Sequence, residues 1–221
     1  MHHDHKRRHF LKFGAASVAA LLVRRRSSAA DLAQCRETPA QTAGPFYPGE
    51  DGFTTGNDLT AVVGATAAPI GQIIFITGQV RDLNCVPIAG ANVEIWQACA
   101  SGRYNSTTDT NPAALDPNFK YWGECATAQD GTYSFKTVRP GAYPADTDWD
   151  RPPHIHFRIS KRGFQELTTQ LYFKGEPLNS LDKILKNVPP HMRAEVVVDF
   201  VFTPARPSTR TGIFNISLLR V

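Results

Sequence analysis

Short runs of β-branched and aromatic residues recur from residue 73 to the end of the chain, and Gly, Pro, Asn or Asp turns separate many of them. Runs of this composition that are bounded by turn residues are typical of strands, and a series of them is typical of an antiparallel sandwich. We therefore predict an all-β domain over residues 72–221, built as an antiparallel β-sandwich with long loops. The predicted strands are Ile73–Val80, Asn92–Gln97, Thr132–Val138, His154–Ser160, Leu167–Phe173, Glu195–Phe202 and Ile213–Leu219.

Three other segments lack this strand pattern. Residues 31–71 are rich in Pro, Gly, Thr and Ala, which predicts an extended N-terminal arm that wraps the domain. Ser180–Asn187 is predicted to form one short helix. The long loop Ser101–Thr127 shows no alternation, and loops of that length in compact domains are often functional. We expect it to shape the mouth of a pocket, with Tyr104 near its base.

The first thirty residues indicate an export signal of the twin-arginine type. Arg7 and Arg8 precede the apolar run Gly14–Val23, which is too short to span a bilayer. This leader carries seven Lys or Arg against one Asp, whereas the remainder carries 17 against 19 Asp or Glu, a net charge of −2. Because the excess positive charge lies in the leader and not in the remainder of the chain, we predict no nucleic-acid partner. Export to a periplasm is the expectation, and a disordered basic tail is the alternative.

Four cysteines follow the leader, and none has the pair spacing of a zinc site. An even number of cysteines in an exported chain allows two disulfides, for which sequence leaves three connectivities open. We expect Cys35 to pair with Cys85 and Cys99 to pair with Cys125, because the second bridge would hold both flanks of the loop that carries Tyr104. Buried free thiols are the alternative.

A His-x-His pair is the most informative chemical feature of the chain. His154 and His156 follow Pro152 and Pro153, and His191 is the only other histidine beyond residue 10. Alternate side chains of a strand share a face, so both imidazoles could point at one ion. The two prolines would hold the entry rigid. Ordinary strand histidines that are hydrogen-bonded to neighbours are the alternative.

Two tyrosines beside turns suggest which ion such a pair could hold. Tyr104 ends Ser101-Gly102-Arg103-Tyr104, and Tyr143 lies in Pro140-Gly141-Ala142-Tyr143-Pro144. A phenol has a free pKa of about 10, so only a strongly Lewis-acidic ion keeps it as phenolate near neutral pH. Two phenolates with two neutral imidazoles suit ferric iron better than zinc, which usually takes Cys, His and carboxylate.

Seven segments, in order, carry a resemblance to the intradiol ring-cleavage dioxygenases, closest to the protocatechuate 3,4-dioxygenases. The resemblance covers nearly everything after residue 35. The segments are Gln41-Thr42-Ala43-Gly44-Pro45-Phe46-Tyr47-Pro48, Val93-Glu94-Ile95-Trp96-Gln97, Gly102-Arg103-Tyr104, Asp130-Gly131-Thr132-Tyr133-Ser134-Phe135-Lys136-Thr137, Pro140-Gly141-Ala142-Tyr143-Pro144, Arg151-Pro152-Pro153-His154-Ile155-His156-Phe157 and Thr169-Gln170-Leu171-Tyr172-Phe173.

The resemblance implies a non-haem Fe(3+) enzyme that cleaves a catechol-type ring with O2. The implied metal ligands are Tyr104, Tyr143, His154 and His156. Tyr143 is the implied axial phenolate, which leaves the metal and can take a proton from the substrate. Arg151 and Gln170 are the implied catalytic residues, which stabilise charge on the bound ring. The alternatives are a salt bridge of Arg151 to Asp148 or Asp150, and an amide of Gln170 that only bonds the sheet.

Three aromatic residues are candidate substrate contacts. The segment of Tyr47 approaches the substrate pocket in the resembling enzymes, sometimes from a partner subunit, and a structural staple is the alternative. Trp149 could form a wall of the ring pocket or simply pack. Tyr121, in the long loop, could contact substrate or be exposed. Tyr133 and Tyr172 follow strand patterns and are expected in the core.

The sequence leaves the substituent of the ring and the oligomeric state open. It departs from the family around Gly123-Glu124-Cys125-Ala126-Thr127 and between Tyr143 and Arg151, both at the pocket border. Protocatechuate, catechol, hydroxyquinol or a substituted relative could be the substrate, and a homo-oligomer is possible. Two alternative functions are a non-catalytic, prealbumin-like β-sandwich binding module and a histidine-based metal enzyme without tyrosinate ligands. Ferric tyrosinate would colour the protein burgundy, which separates these cases.

Overall fold

The computed structural model describes residues 34–49, 53 and 55–221. The predicted export signal at residues 1–30 lies outside the described residues. The elements of the described chain are β1 (Ile73–Asp82), β2 (Asn92–Trp96), β3 (Trp122–Ala126), β4 (Thr132–Val138), β5 (Tyr143–Asp146), β6 (Trp149–Arg151), β7 (His154–Ser160), β8 (Leu167–Phe173), α1 (Lys183–Asn187), β9 (Val197–Val198), β10 (Phe200–Thr203), β11 (Arg206–Ile213) and β12 (Ile216–Leu218), with 3-10 turns at Pro177–Ser180 and Pro190–Glu195.

Five of the predicted strands are confirmed as β1, β2, β4, β7 and β8. The predicted strand Glu195–Phe202 is wrong in extent, because Glu195 ends a 3-10 turn and two short strands follow it. The strand β3 lies inside the long loop that was expected to be irregular, and β5, β6 and β11 were not predicted. β11 reads RPSTRTGI and β3 reads WGECA. Neither has the apolar run that marks a strand in sequence.

Two five-stranded sheets and one small hairpin organise these strands. In the first sheet the order is β10-β11-β1-β12, with β4 also paired to β1, and in the second it is β3-β2-β7-β8-β9. β11 and β12 run parallel to β1, and β9 runs parallel to β8. The predicted antiparallel β-sandwich is therefore correct only in part: the chain is mostly β-sheet, but its sheets are mixed, because late segments of the chain return alongside earlier strands in the same direction. β5 and β6 form the hairpin.

The two larger sheets share one hydrophobic cluster. Alternate residues of β1, such as Ile74 and Ile76, are buried in it together with Ile95 of β2 and with Ile155 and Phe157 of β7. Because side chains of a strand alternate between faces, the intervening residues of β7 point to the other side of its sheet. The second sheet thus separates the core from a second face, which carries the candidate site.

One of the two expected disulfides is formed. Cys35 and Cys85 are bonded, with 5.2 Å between their Cα atoms. The expected bridge between Cys99 and Cys125 is wrong, since both thiols are free. The register of β2 and β3 places Val93 opposite Cys125. Cys99 lies six residues further along, roughly 20 Å at the rise of a strand. A disulfide tolerates a Cα separation of only about 7 Å.

Residues 34–49 cross the domain without regular secondary structure. Their backbone N–H groups reach distant parts of the chain: Cys35 donates to Leu83, Thr38 to Ser217 and Gln41 to Thr168. We call residues 34–49 the N-terminal segment. In the part of the chain that the structure describes, no helix is long and apolar enough to cross a membrane.

Candidate active site

The second face of the β3-β2-β7-β8-β9 sheet holds both histidines of the His-x-His pair. Strand β7 places His154 and His156 two residues apart, so they share a face. The register puts His156 between Trp96 of β2 and Gln170 of β8, and puts His154 opposite Tyr172. The indole of Trp96 stacks on the imidazole of His156, with 4.8 Å between centroids and an interplanar angle of 7°.

The two imidazoles face each other through their Nε2 atoms, which are 3.2 Å apart. Nδ1 of His154 lies 2.7 Å from the Pro152 carbonyl oxygen. A carbonyl only accepts, so Nδ1 carries the proton and Nε2 of His154 presents a lone pair. Burial, followed by the charge of Arg151, lowers the pKa of His154 well below its usual value and that of His156 to about 3. Both rings are therefore neutral and available as ligands.

Two glycines bring together the turns that carry Tyr104 and Tyr143. At Gly102, where φ is +86°, a Cβ would clash with the Ala142 carbonyl. At Gly141 a Cβ would lie 2.5 Å from the Ala100 carbonyl oxygen. Only glycine permits these two turns to touch backbone to backbone. The contact places residue 104 beside residue 143, although 38 residues separate them in sequence.

The phenols of Tyr104 and Tyr143 converge on the histidines. Oη of Tyr104 lies 3.3 Å from Nε2 of His154. The Tyr104 and Tyr143 rings meet edge to face at 5.5 Å, and the Tyr143 ring centroid is 5.7 Å from that of His154. Burial raises the pKa of both phenols, although the positive charge of Arg151 opposes this at Tyr143. Neither phenol ionises readily without a further positive charge.

Arg151 lies beside this cluster because the β5–β6 hairpin pairs it directly with Tyr143. Its Nε donates to Oδ2 of Asp182 at 2.7 Å, and one terminal nitrogen donates to Oε1 of Gln170 at 2.6 Å. The side chains of Arg151 and Asp182 are 3% and 0% exposed. The alternative of a salt bridge to Asp148 or Asp150 is wrong, since the partner of Arg151 is Asp182, 31 residues downstream.

Gln170 joins this arginine to the N-terminal segment. Its Nε2 donates to the Thr42 carbonyl at 2.8 Å, and its Oε1 also accepts from the hydroxyl of Tyr172 at 3.1 Å. Gln41 closes the network, because its side chain contacts Thr169, the Gln170 carbonyl and the Tyr172 hydroxyl. The amide of Gln170 is therefore fixed in orientation by partners on three segments.

The sequence of this chain is similar to the sequences of known dioxygenases. The Dioxygenase family matches residues 43–218. The protocatechuate 3,4-dioxygenase beta chain of Burkholderia cepacia is 40% identical over 160 residues, which are 71% of this chain and 68% of the relative. The catechol 1,2-dioxygenase of Candida albicans is 30% identical over 165 residues, which are 68% of this chain and 52% of the relative.

A solved structure shares the fold. The dioxygenase domain of a dioxygenase–carbohydrate-binding fusion from Streptomyces sp. SirexAA-E superposes with a TM-score of 0.62 at 28% identity, over 84% of this chain and all of that one. This chain belongs to the intradiol ring-cleavage dioxygenases. The family consists of ring-cleaving oxidoreductases, so the resemblance drawn from the seven segments is confirmed.

The candidate substrate residues of this intradiol dioxygenase lie around the tyrosine–histidine cluster with most of their polar atoms engaged. The Tyr47 hydroxyl donates to Glu94 at 2.7 Å and accepts from Arg158 at 3.2 Å, while its ring meets Trp96 at 4.8 Å. The Tyr121 hydroxyl accepts from the Asp116 N–H at 2.6 Å. Tyr121 is buried rather than exposed.

Trp149 lies between two cations. Its ring is 5.6 Å from the Arg151 guanidinium carbon and 5.0 Å from Nζ of Lys183. Its indole N–H has no partner among the residues that the structure describes. Trp149 is therefore the one candidate substrate residue of this dioxygenase that keeps a free donor next to Arg151.

Sequence reasoning missed Phe46, Gln41, Asp182 and the polar role of Tyr172. Tyr172 is buried as expected, yet its hydroxyl belongs to the arginine network. A signal existed for Asp182, because an Asp directly before a short helical run is a typical N-cap. No signal in the sequence could have paired it with Arg151, since that contact depends on where α1 packs.

Proposed function

We propose that the protein is an iron(III)-dependent intradiol dioxygenase that acts on a catechol-type, protocatechuate-like ring. It would cleave the ring bond between the two hydroxylated carbons, incorporate both atoms of O2 and release a cis,cis-muconate. The observation that carries the proposal is the convergence of two phenols and two neutral imidazoles at one buried point. A non-catalytic sandwich module gives no reason for this cluster.

The donor set fits a ferric ion held by Tyr104, Tyr143, His154 and His156. Donor atoms that share one ion at bond lengths of about 2.0–2.1 Å lie roughly 3 Å apart, close to the 3.2 and 3.3 Å separations of the cluster. Among the described residues, no three His, Cys, Asp or Glu side chains form a metal site. A metal here would thus draw on phenol oxygens, which disfavours a purely histidine-based enzyme.

A bound ferric ion would supply the Lewis acidity that lowers the pKa of the phenols and of the catechol hydroxyls. Tyr143 is the phenol suited to accept a substrate proton, since it is 7% exposed against 2% for Tyr104 and lies opposite Arg151. Arg151 and Gln170 would stabilise negative charge on the ring. Tyr47, Tyr121 and Trp149 would contact the substrate mainly through their ring faces.

The test is to purify the mature protein and measure its iron content, its visible spectrum, and O2 consumption with catechols. We expect one iron per chain, a burgundy colour and a muconate product. Tyr104→Phe and His156→Ala should lose iron or bleach the band. Tyr133→Phe is the matched control, because its hydroxyl bonds Phe214 in the core, away from the cluster. Full iron and unchanged colour in Tyr104→Phe and Tyr143→Phe alike would refute the ligand set.

Export and assembly are further proposals. We propose export by the twin-arginine route, which carries folded proteins; changing Arg7 and Arg8 to Lys should then retain an iron-loaded protein in the cytoplasm. We also propose a homo-oligomer. One relative is named a beta chain, so size measurement of the pure chain should separate self-association from dependence on a second kind of chain.

A further inference from the structure

We infer that Asp182 is the positioning residue that orients Arg151 toward the ring of the substrate. The inference deepens the proposed function and rests on it, because it takes Arg151 to face that ring. The two carboxylate oxygens of Asp182 have separate partners. Oδ1 accepts the Leu185 N–H at 2.6 Å, and Oδ2 accepts Nε–H of Arg151 at 2.7 Å.

Capping alone does not account for an aspartate at this position. Ser, Thr and Asn cap helices about as well as Asp, through a single oxygen. The second oxygen of Asp182 contacts a guanidinium that is itself buried, and Asp182 is completely buried. Two buried charges are tolerated only when they pair with good geometry and their remaining polar groups are satisfied. Asp182 therefore neutralises the buried charge of Arg151, which a neutral capping residue could not do.

The packing of α1 makes Asp182 a fixed reference point for Arg151. Leu185, one turn along the helix, is buried in a small cluster with Tyr172, Val188 and Val196. The cluster includes the ring of Tyr172, whose hydroxyl lies 3.3 Å from Arg151. This small cluster thus fixes the position of α1, the N-cap of α1 fixes Asp182, and Asp182 fixes Nε of the guanidinium.

The remaining contacts of Arg151 leave one orientation. Nε of Arg151 is bound to Asp182. One terminal nitrogen of the guanidinium, Nη2, donates both to Oε1 of Gln170 and to the Tyr172 hydroxyl. A planar guanidinium held at Nε and at one terminal nitrogen cannot rotate without breaking both contacts. The paired strands β5 and β6 place this fixed group beside Tyr143. Misplacement of a catalytic group by about 1 Å can lower a rate by 10²-fold.

Asp182→Asn is the informative substitution, because an amide oxygen can still cap α1 while the charge is removed. We expect kcat to fall at least tenfold, with a smaller change in KM, since the charge on the ring develops in the transition state. A crystal structure of the variant should show the guanidinium moved away from Gln170. Glu176→Gln is the matched control: Glu176 also caps a short helical turn and pairs with an arginine, Arg139, at 2.8 Å.

Arg151→Gln and the double variant Arg151→Gln/Asp182→Asn complete the test. If Asp182 acts through Arg151, the double variant should match Arg151→Gln in kcat within about twofold. The double variant leaves neither charge buried without its partner, so it still decides the matter if Asp182→Asn does not fold.

Two results would overturn the inference: a double variant at least tenfold slower than Arg151→Gln, or an Asp182→Asn protein with an unmoved guanidinium and a kcat within twofold of the wild type. An effect of Glu176→Gln equal to that of Asp182→Asn would also count against it. If the wild-type protein cleaves no catechol, the proposed function fails, and the position of the guanidinium in Asp182→Asn still decides whether Asp182 orients Arg151.

Discussion

The ring of Phe46 stacks on the ring of Tyr104, with 4.6 Å between their centroids and an interplanar angle of 27°. Phe46 also meets Tyr143 edge to face at 6.0 Å. Nearby, Gly44 lies so close to His156 that a Cβ there would be 3.6 Å from the imidazole. The N-terminal segment therefore covers three of the four proposed ligands, and its contacts bear directly on the site.

Phe46→Ala should open the site to water and loosen Tyr104. The side chain is half-buried, so we expect a loss of about 1–2 kcal/mol in the free energy of unfolding, from lost apolar burial. The value of kcat/KM should also fall under conditions in which the variant is fully folded. Water that enters the site would weaken the electrostatic stabilisation of the transition state. Denaturant titration and steady-state kinetics measure the two effects. Phe53→Ala is the control, since Phe53 contacts Tyr47 and Trp122 instead.

The disulfide should stabilise the same segment from its other end. Cys35 and Cys85 are 50 residues apart in sequence, and the loop-entropy estimate for that length is roughly 4 kcal/mol. Reductant should therefore lower the melting temperature of the wild type and leave Cys35→Ser/Cys85→Ser unchanged. Thiol counting under denaturing conditions should find Cys99 and Cys125 alone; four reactive thiols in exported material would contradict the pairing.

The His-x-His spacing singled out the two histidines of the cluster because it is local, and the family resemblance singled out the two tyrosines. Strand β7, which holds both His154 and His156, and its neighbour β8 could also be predicted, because both are rich in β-branched and aromatic residues. The contact between Arg151 and Asp182 could not be predicted from the sequence. It depends on the packing of a five-residue helix, and nothing in the spacing of two charged residues encodes such packing.

The failure of the Cys99–Cys125 prediction has a similar cause. Both residues flank the long loop, but the ladder between β2 and β3 places Cys125 opposite Val93, six residues before Cys99. The strand β3 contains Gly123 and Glu124 and has no apolar run, so the ladder itself could not be foreseen. Long-range register, rather than chemistry, is what the sequence left undetermined.

Asp82, in the turn that carries Cys85, should make the free energy of unfolding depend on pH in the acidic range. Burial alone would raise the pKa of Asp82, but hydrogen bonds from the Val86 and Asn84 N–H groups and from Arg220 outweigh it and lower the pKa. A depressed pKa means that the contribution is complete above the ordinary value of 3.8 and is lost as pH falls through the folded value.

Denaturant titration between pH 2 and pH 6 tests this dependence. The acid loss of unfolding free energy should be smaller in Asp82→Asn, which keeps an acceptor for the turn but does not titrate. Asp130→Asn is the comparison: Asp130 also has a lowered pKa, from hydrogen bonds of Thr132, but it is fully exposed, so its replacement should reduce the acid loss less than Asp82→Asn does. An identical acid limb in the wild type and in Asp82→Asn would show that Asp82 does not contribute.

Substrate choice depends on what meets the substituent of the ring. Arg151 cannot serve a distant carboxylate, because its charge is already paired with Asp182. The hydroxyls of Tyr47 and Tyr121 are bound to Glu94 and to the Asp116 N–H. Lys120 remains: it lines a small cavity together with Tyr104, Trp96 and Phe46. Among the residues that the structure describes, its Nζ makes one long hydrogen bond, 3.4 Å to the Thr55 carbonyl.

Lys120→Met should therefore raise KM for protocatechuate at least tenfold, or about 1.4 kcal/mol, and change KM for catechol less than twofold. The substitution would remove the cation proposed to pair with the carboxylate of the substrate, and a partly buried carboxylate without its partner is costly. Lys136→Met is the matched control, since Lys136 pairs with Asp58 instead. The deciding comparison is kcat/KM for protocatechuate, catechol and hydroxyquinol on one preparation. A tenfold preference of the wild type for catechol over protocatechuate would mean that Lys120 serves no carboxylate, and the ring substituent would then have to be uncharged.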